Sequence, residues 1–229
     1  MEKLGTGTAV LDRLLEGGYE SDAVTTIYGP AGTGKTTACL LACINSARQG
    51  RKAIFVDTEG GLSVTRLRQL AGNDNSVMER ILFLRPASFD EQKKCLEKLG
   101  SLATEKVGLV VVDTITSLYR AQRTSDNSEL NRELGRQVAA LVGLARTKAI
   151  PVIVTNQVYS DFEGKKGIRM VGGDIITYSS KCLIELRQLH SSKRLAILQR
   201  HRHIPQRELV YEITGAGFEE VQEKGFRLF

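Results

Sequence analysis

Residues 29–36 read Gly29-Pro30-Ala31-Gly32-Thr33-Gly34-Lys35-Thr36, which fits the pattern G-x-x-x-x-G-K-[ST]. The five residues before them, Val-Thr-Thr-Ile-Tyr, are β-branched or aromatic, and residues 35–48 have a helical pattern. In such a turn the glycines let backbone N–H groups point at phosphate oxygens, the lysine adds a positive charge, and the threonine hydroxyl can ligate Mg²⁺. The stretch therefore predicts a strand, a phosphate-binding loop and a helix that together bind a nucleotide. A glycine-rich turn without a ligand is the disfavoured alternative.

The length and composition fit a single α/β domain. The chain has 229 residues, and we expect one domain over residues 1–229. No apolar run approaches a membrane span and the N-terminus lacks a signal-like pattern, so we expect a cytoplasmic protein with no membrane partner. Cys39 and Cys43 lie four residues apart on a predicted helix, whereas Cys95 and Cys182 are isolated. This spacing favours buried apolar cysteines over a zinc site or a disulfide framework.

Short apolar strands alternate with helical patterns along most of the chain. Predicted strands cover residues 24–28, 53–57, 81–84, 109–113 and 152–156, and predicted helices cover 35–48, 63–71, 88–104 and 128–148. This alternation predicts a mostly parallel central sheet with helices on both faces. Three further strands, 181–187, 194–199 and 209–213, follow without helices and predict antiparallel additions. The stretches 116–127 and 158–173 are expected to be functional loops.

The net charge of +6 is concentrated in one segment. Residues 186–207 contain six lysines and arginines, all three histidines, and no aspartate or glutamate: Arg187, Lys193, Arg194, Arg200, Arg202 and Arg207, with His190, His201 and His203. Such a segment is typical of polyanion binding, and a solvated basic surface without a partner is the alternative. A metal at His201-x-His203 is disfavoured because no cysteine or carboxylate lies nearby in sequence.

Polar residues at predicted strand ends could complete a nucleotide site. Asp113 follows the apolar strand 109–112, where a carboxylate can hold Mg²⁺ through water. Glu59 lies just beyond another strand end and could accept a proton from the attacking water, with Asp57 as the competing candidate. Gln157 ends a further strand and could sense the γ-phosphate through one hydrogen bond. Because the carboxyl ends of parallel strands share one edge, these side chains should lie together.

Together these elements resemble the ATPase core of the RecA/RadA recombinase family over essentially the whole chain. The matching motifs are Leu4-Gly5-Thr6-Gly7, residues 11–18, Asp57-Thr58-Glu59-Gly60, Asp113-Thr114 with Leu118-Tyr119-Arg120, Thr155-Asn156-Gln157-Val158 and Val171-Gly172-Gly173-Asp174-Ile175. The resemblance implies a RecA-like P-loop NTPase fold with ATP and Mg²⁺ as ligands. The implied roles are ATP binding by Gly29 to Thr37 and, through stacking on adenine, by Arg66. Catalysis is implied for Glu59, Lys35 and Gln157, Mg²⁺ binding for Thr36 and Asp113, and DNA binding for loop residues Arg120, Arg123, Lys165, Lys166 and Arg169. We add Arg200 and Arg202 of the basic segment to the DNA-binding prediction.

Departures from the recombinases narrow the resemblance to the archaeal RadB paralogues of RadA. The core begins at Met1, and no phenylalanine precedes Phe55, so the usual aromatic polymerisation motif is missing. Arg200 stands where the recombinases place an acidic residue that caps a neighbour's ATP, although Pro205 of that cap is present. The resemblance implies weak, DNA-dependent ATP hydrolysis and an accessory role with a RadA-type recombinase and a Holliday-junction nuclease. We expect single-stranded or branched DNA, bound mainly through phosphates, and a monomer or small oligomer rather than a long filament.

Two other functions stay open at this point. The first is a nucleotide-switched module that binds a recombinase or a junction nuclease without significant hydrolysis. The second is an autophosphorylating ATPase of the circadian-clock type, which normally has duplicated cores.

Overall fold

A computed structural model describes residues 2–159 and 169–221. Its strands are β1 Lys3–Leu4, β2 Tyr19–Glu20, β3 Val24–Gly29, β4 Lys52–Asp57, β5 Ile81–Leu84, β6 Val107–Asp113, β7 Val152–Tyr159, β8 Arg169–Met170, β9 Cys182–Gln188, β10 Arg194–Arg200, β11 Arg207–Thr214 and β12 Gly217–Glu220. Its helices are α1 Ala9–Leu14, α2 Lys35–Arg48, α3 Val64–Ala71, α4 Asn75–Met78, α5 Phe89–Leu102, α6 Ser117–Ala121, α7 Ser128–Lys148 and α8 Gly173–Ser179. None of the helices in these described ranges is long and apolar enough to cross a membrane.

The central sheet has the order β12-β11-β10-β9-β3-β7-β6-β4-β5, and β8 pairs with the end of β7. The six strands from β9 to β5 run parallel to one another. At the other side β10, β11 and β12 add in antiparallel fashion. The mostly parallel sheet and the antiparallel additions at the C-terminal end are therefore confirmed. The parallel strands bring Gly29, Asp57, Asp113 and Gln157 to the same edge, their carboxyl edge.

Helices cover both faces of the sheet. In β6, Leu109 and Val111 belong to the core beneath α1, α2, α3 and α4. Val110 and Val112 of the same strand belong to the core beneath α5, α6, α7 and α8. Successive side chains of a strand point to opposite faces, so a continuous apolar strand is what a sheet covered on both sides requires.

Local capping explains where the helices begin. The Ser88 hydroxyl accepts a hydrogen bond from the Glu91 N–H at 3.1 Å, and the Glu91 carboxylate accepts one from the Ala87 N–H at 2.8 Å. This reciprocal pairing satisfies two of the backbone donors that a helix start leaves without partners. The predicted helix 88–104 is therefore α5, which begins one residue later and ends at Leu102.

The sequence pattern missed several short elements. The stretch 116–127, expected as a loop, contains α6, and the stretch 158–173 contains β8 and the start of α8. Strands β1, β2 and β12 and helices α1 and α4 were also missed. They are two to six residues long, which is too short for a hydrophobic period to register.

Candidate functional site

The phosphate-binding loop joins β3 to α2 and lies against the C-terminal strands. Gly29 has φ +152°, and a Cβ there would lie 2.1 Å from the carbonyl oxygen of Leu186. Gly34 has φ +95°, and a Cβ there would lie 2.7 Å from Cδ1 of Ile213. Both positions therefore require glycine, for backbone conformation and for space. These two glycines let the loop make the tight connection between β3 and the start of α2.

Lys35 begins α2 and its side chain folds back over the loop. Its Nζ donates to the carbonyl oxygens of Gly29 and Pro30, each at 2.8 Å. Burial lowers the pKa of Lys35, while the carboxylates of Asp113 and Glu59 act in the opposite direction. A buried ammonium with two carboxylates nearby is suited to an incoming anion, because phosphate oxygens can replace the carbonyl acceptors.

Asp113 ends β6 and lies beside Thr36. The Thr36 hydroxyl donates to Oδ2 of Asp113 at 2.7 Å, and the Thr155 hydroxyl donates to Oδ1. Burial raises the pKa of Asp113, and these hydroxyls only partly offset it. A carboxylate and a hydroxyl are oxygen ligands of the kind that Mg²⁺ prefers, and a buried carboxylate gains from a nearby cation. The predicted pair Thr36 and Asp113 therefore fits Mg²⁺.

Glu59 and Gln157 meet across the site. The Gln157 side-chain amide donates to Oε1 of Glu59 at 2.6 Å, and the Thr114 hydroxyl donates to the same oxygen at 3.2 Å. Asp57, the competing candidate for the base, is 3% exposed. Its carboxylate accepts backbone N–H groups from Gly60 at 2.9 Å and Leu62 at 3.3 Å, so it orders the loop after β4. The geometry favours Glu59 as the residue that faces a reacting water.

These groups surround a cavity of about 300 Å³. Its lining consists of Ala31, Gly32, Gly34, Lys35, Thr36, Thr37, Glu59, Asp113, Thr114, Gln157 and Ile213. Pro30 and Thr33 stabilise the loop itself, since the Thr33 hydroxyl donates to the Pro30 carbonyl at 2.8 Å. The structure thus brings the predicted phosphate, magnesium, base and sensor residues to one place.

Arg66, the predicted adenine contact, is occupied by the C-terminal hairpin. Its guanidinium donates to the carbonyl oxygens of Thr214 at 2.7 Å and Gly215 at 3.1 Å, and to the side chain of Gln69 at 2.6 Å. These contacts tie α3 to the end of β11. Stacking on adenine therefore stays a prediction. It would require the plane of the guanidinium to face the base while its N–H groups keep their hydrogen bonds to the hairpin.

Two residues of the C-terminal strands form hydrogen bonds to backbone carbonyls of the phosphate loop, and the sequence pattern did not predict this role. The Tyr211 hydroxyl of β11 donates to the Thr33 carbonyl at 2.7 Å, and Nε of Arg194 of β10 donates to the Gly32 carbonyl at 3.0 Å. The Tyr211 ring is fully buried and stacks on Phe218 with centroids 4.4 Å apart. No local pattern marks these residues, because their partners lie more than 160 positions away.

A second cavity, of about 670 Å³, lies between α6, α7 and α8. Arg123, Tyr119 and Asn131 are among its lining residues. Arg120 lines a smaller pocket together with Gln157, so this arginine lies next to the nucleotide site. Of the other predicted DNA contacts, Lys165 and Lys166 lie outside the described residues. The backbone of Arg169 lies in β8.

Arg200 and Arg202 lie at the opposite edge of the sheet from Arg120 and Arg123. In the β9–β10 pair, Arg200 is opposite Leu183, near the amino end of β9. Its guanidinium donates to the carbonyl oxygens of Thr177 and, at 2.7 Å, Ser180, and so caps the C-terminus of α8. Among the residues that the structure describes, the predicted DNA contacts therefore lie at two opposite edges of the sheet.

Half of the six basic side chains in the segment, Arg187, Arg202 and Arg207, pair with carboxylates. Arg202 pairs with Asp22 at 2.9 Å and Glu20 at 3.1 Å, and Arg207 pairs with Glu16 at 2.6 Å. Arg187 pairs with Glu185 within its own strand, just outside the acid-free stretch. The segment contains no acidic residue, but the folded chain places carboxylates beside it. The expectation that its whole charge is available to a polyanion is therefore wrong.

The chain is similar in sequence and in fold to known proteins. Residues 1–221 match the Rad51 family. The DNA repair and recombination protein RadB of Methanocaldococcus jannaschii is 40% identical over 214 residues, which cover 92% of this chain and 99% of the relative. RadB of Methanococcus maripaludis strain C7 is 37% identical over 219 residues, which cover 93% and 99%. A crystal structure of the RadB recombinase has a TM-score of 0.82 and 35% identity, and the match covers 96% of this chain and 100% of that one.

Proposed function

The chain belongs to the Rad51/RecA family and, within it, to the RadB DNA repair and recombination proteins, and from this premise we propose that it is a DNA-binding ATPase that assists a recombinase. It binds ATP in the cavity of the phosphate loop and hydrolyses it slowly. DNA contact is mainly to phosphates, and strand exchange is not carried out by this chain alone.

The residues around the cavity divide the work of hydrolysis. The loop N–H groups and Lys35 bind the β- and γ-phosphates, and Thr36 with Asp113 holds Mg²⁺. When bound, the ion neutralises charge on the phosphate oxygens. Glu59 orients the attacking water and takes its proton. The Gln157 amide has two N–H groups: one donates to Glu59 at 2.6 Å, and the other can donate to a γ-phosphate.

Slow hydrolysis follows from the charge of the cavity. Among the described residues that line it, Lys35 is the single basic side chain. In phosphoryl transfer an additional arginine at the transition state contributes about 10³–10⁵ in rate. Without one, the isolated protein should turn over ATP slowly. Brisk hydrolysis whose specific rate does not depend on protein concentration would contradict this part of the proposal.

The observation that carries the proposal is the position of Gln157 between two sites. This side chain contacts Glu59 in the nucleotide cavity and lies in the same crevice as Arg120. A hydrogen bond from Gln157 to a γ-phosphate would therefore shift a side chain that lies beside Arg120. Arg120 and Arg123 are exposed beyond the same sheet edge, where DNA phosphates can reach them. Nucleotide and DNA would thus be coupled through one amide.

The test is fluorescence anisotropy of labelled single-stranded, duplex and branched DNA across a salt series. Each DNA is measured without nucleotide, with ADP and with a non-hydrolysable ATP analogue. We expect binding that weakens with salt, because phosphate contacts release counterions, and an affinity that depends on the nucleotide. Arg120→Ala should weaken binding of all sequences alike, and Gln157→Ala should remove the nucleotide dependence. Arg146→Ala, an exposed arginine near the far end of α7, is the matched control.

The alternative, a nucleotide-switched interaction module, rests on the same contact. Because Glu59 accepts hydrogen bonds from Gln157 and Thr114, this carboxylate could hold the sensor in place instead of activating water. Glu59→Gln distinguishes the two functions: it should abolish hydrolysis if Glu59 is the base, and it should leave partner binding intact if the chain is a module. Absence of DNA binding at low salt in every nucleotide state would favour the module.

We also propose a RadA-type recombinase and a Holliday-junction nuclease as protein partners. The support is the family membership, together with the recombination and repair role in the names of the relatives. Co-sedimentation of the purified proteins, with and without an ATP analogue, tests each partner separately. The same experiment run without a partner reports whether the chain stays a monomer or a small oligomer.

A further inference from the structure

Two segments that are distant in sequence bring three side chains together at the amino edge of the sheet. Glu20 lies in β2, and His201 and His203 follow β10. One ligand atom from each of them lies within 4.8 Å of the other two. Nε2 of His201 and Nε2 of His203 are each 3.7 Å from Oε1 of Glu20. This cluster is at the opposite edge from the phosphate loop, so it is separate from the nucleotide site.

Glu20 is the unusual member of the cluster. Its side chain is 2% exposed, and neither carboxylate oxygen has a hydrogen-bond partner among the described residues. Nε of Arg202 forms an ion pair with Oε2 at 3.1 Å, and Arg202 also pairs with Asp22. Oε1 is therefore the atom left facing the two imidazoles. A buried carboxylate oxygen with this little compensation is costly unless a cation completes its surroundings.

We propose that Glu20, His201 and His203 form a binding site for a divalent transition-metal ion, with Zn²⁺ as the best match. Two histidines and one glutamate are a donor set that Zn²⁺ takes in proteins, with a fourth position open to water. With bonds of about 2.1 Å, tetrahedral ligands are about 3.4 Å apart. Both glutamate–histidine distances, 3.7 Å, are close to this edge length. His203 is 55% exposed and can turn to close the third edge.

The surroundings support ligation. The His201 side chain is 1% exposed, so the surrounding chain holds its imidazole in place beside Glu20. The ion pair of Oε2 with Arg202 fixes the carboxylate while Oε1 binds the ion, as outer partners commonly do at metal sites. Nδ1 of His201 accepts N–H groups from His203 and Ile204 at 3.4 Å. Nε2 of the neutral ring therefore carries the proton in the metal-free chain, and a metal that binds Nε2 would move this proton to Nδ1 at the cost of these two long contacts.

Such an ion would join β2 to the connection between β10 and β11. Its expected effect is structural, because it links segments about 180 residues apart in sequence without touching the nucleotide cavity. It would also add positive charge beside Arg202, which the carboxylates of Glu20 and Asp22 balance in part.

The test uses tag-free, chelator-treated protein titrated with Co²⁺ and then with Zn²⁺. A tetrahedral site gives a visible Co²⁺ spectrum that Zn²⁺ removes at one equivalent per chain, and Zn²⁺ raises the melting temperature. His203→Ala and Glu20→Gln should each weaken binding at least tenfold and remove the stabilisation. His190→Ala, the third and exposed histidine, is the matched control and should bind like the unmodified chain.

Two results would overturn the proposal. One is no Co²⁺ spectrum and no Zn²⁺-dependent stabilisation of the unmodified chain. The other is equal affinity in His203→Ala and in the unmodified chain, since this exposed residue can be replaced without disturbing the core. If Glu20→Gln unfolds the protein, His203→Ala alone still decides the outcome.

Discussion

Two buried tyrosines offer a direct measurement of how firmly the C-terminal strands hold the phosphate loop. Tyr211 and Tyr19 are 0% and 1% exposed, so their environments are equally dry. The Tyr211 hydroxyl donates to the Thr33 carbonyl at 2.7 Å, whereas the Tyr19 hydroxyl has no hydrogen-bond partner among the described residues. Tyr→Phe removes the same atom at both positions, and only one substitution breaks a hydrogen bond.

The magnitudes follow from this difference. Tyr211→Phe loses a buried hydrogen bond and leaves the carbonyl of Thr33 without this donor, which should cost about 1–2 kcal/mol of the free energy of unfolding. The ring still stacks on Phe218, so no packing term is added. Tyr19→Phe removes a buried hydroxyl that has no partner, so stability should stay the same or rise by up to about 1 kcal/mol.

Urea unfolding checks the stability prediction, with an unchanged m-value as the sign that both variants unfold in the same way. Thermal melts should show about 2–4 °C of loss per kcal/mol for Tyr211→Phe. Nucleotide affinity, measured with a fluorescent ATP analogue, should fall for Tyr211→Phe by at most about tenfold and stay constant for Tyr19→Phe. Equal stability of the two variants would refute the argument that this hydrogen bond anchors the loop.

Three further substitutions probe the site and its surroundings. Burial raises the pKa of Asp113, so acidification should weaken Mg²⁺-dependent nucleotide binding at a pH above the usual aspartate range. Asp113→Asn should bind nucleotide weakly at every pH and should not show this decline. Binding titrations over a pH series measure both. Gly34→Ala should abolish nucleotide binding in the same assay, because its Cβ would lie 2.7 Å from Ile213 at φ +95°. Arg200→Ala should lower the unfolding free energy by about 1–2 kcal/mol, through lost capping of α8 at Ser180, and leave DNA affinity unchanged; a large DNA defect in a stable Arg200→Ala protein would contradict the structural role.

The parts of the fold that sequence reasoning predicted are those encoded locally. The phosphate-binding loop could be predicted because its glycines, lysine and threonine all lie within the eight positions 29–36. Continuous apolar runs such as residues 109–112 could be identified as buried parallel strands, and their shared edge then placed Asp113 near Thr36 without further information. The boundaries of the predicted elements differ from the observed ones by at most three residues, because the ends of helices and strands are the least sharply defined part of an element.

The remaining features depend on partners that are distant in sequence. Tyr211 anchors the loop at a separation of 178 residues, and Arg202 contacts Asp22 at a separation of 180. Neither contact leaves a periodic or compositional trace in a single sequence. The same applies to His201 and His203, where a metal was disfavoured for lack of a nearby carboxylate. Folding of β2 against the end of β10 supplies that carboxylate as Glu20.

The two edges of the sheet therefore have different physical roles. At the carboxyl edge, buried charges such as Lys35 and Asp113 lack full compensation, as ligand sites require, because an incoming phosphate or cation must improve on the contacts already present. At the amino edge, Arg202 pairs with the carboxylates of Glu20 and Asp22, and the guanidinium of Arg200 is engaged in capping α8. A polyanion that binds there would have to compete with these partners, whereas the Arg120 side chain has no ion pair or hydrogen bond within the described part of the chain. We therefore expect DNA to approach the edge where nucleotide binds, which is also the geometry that lets one ligand influence the other.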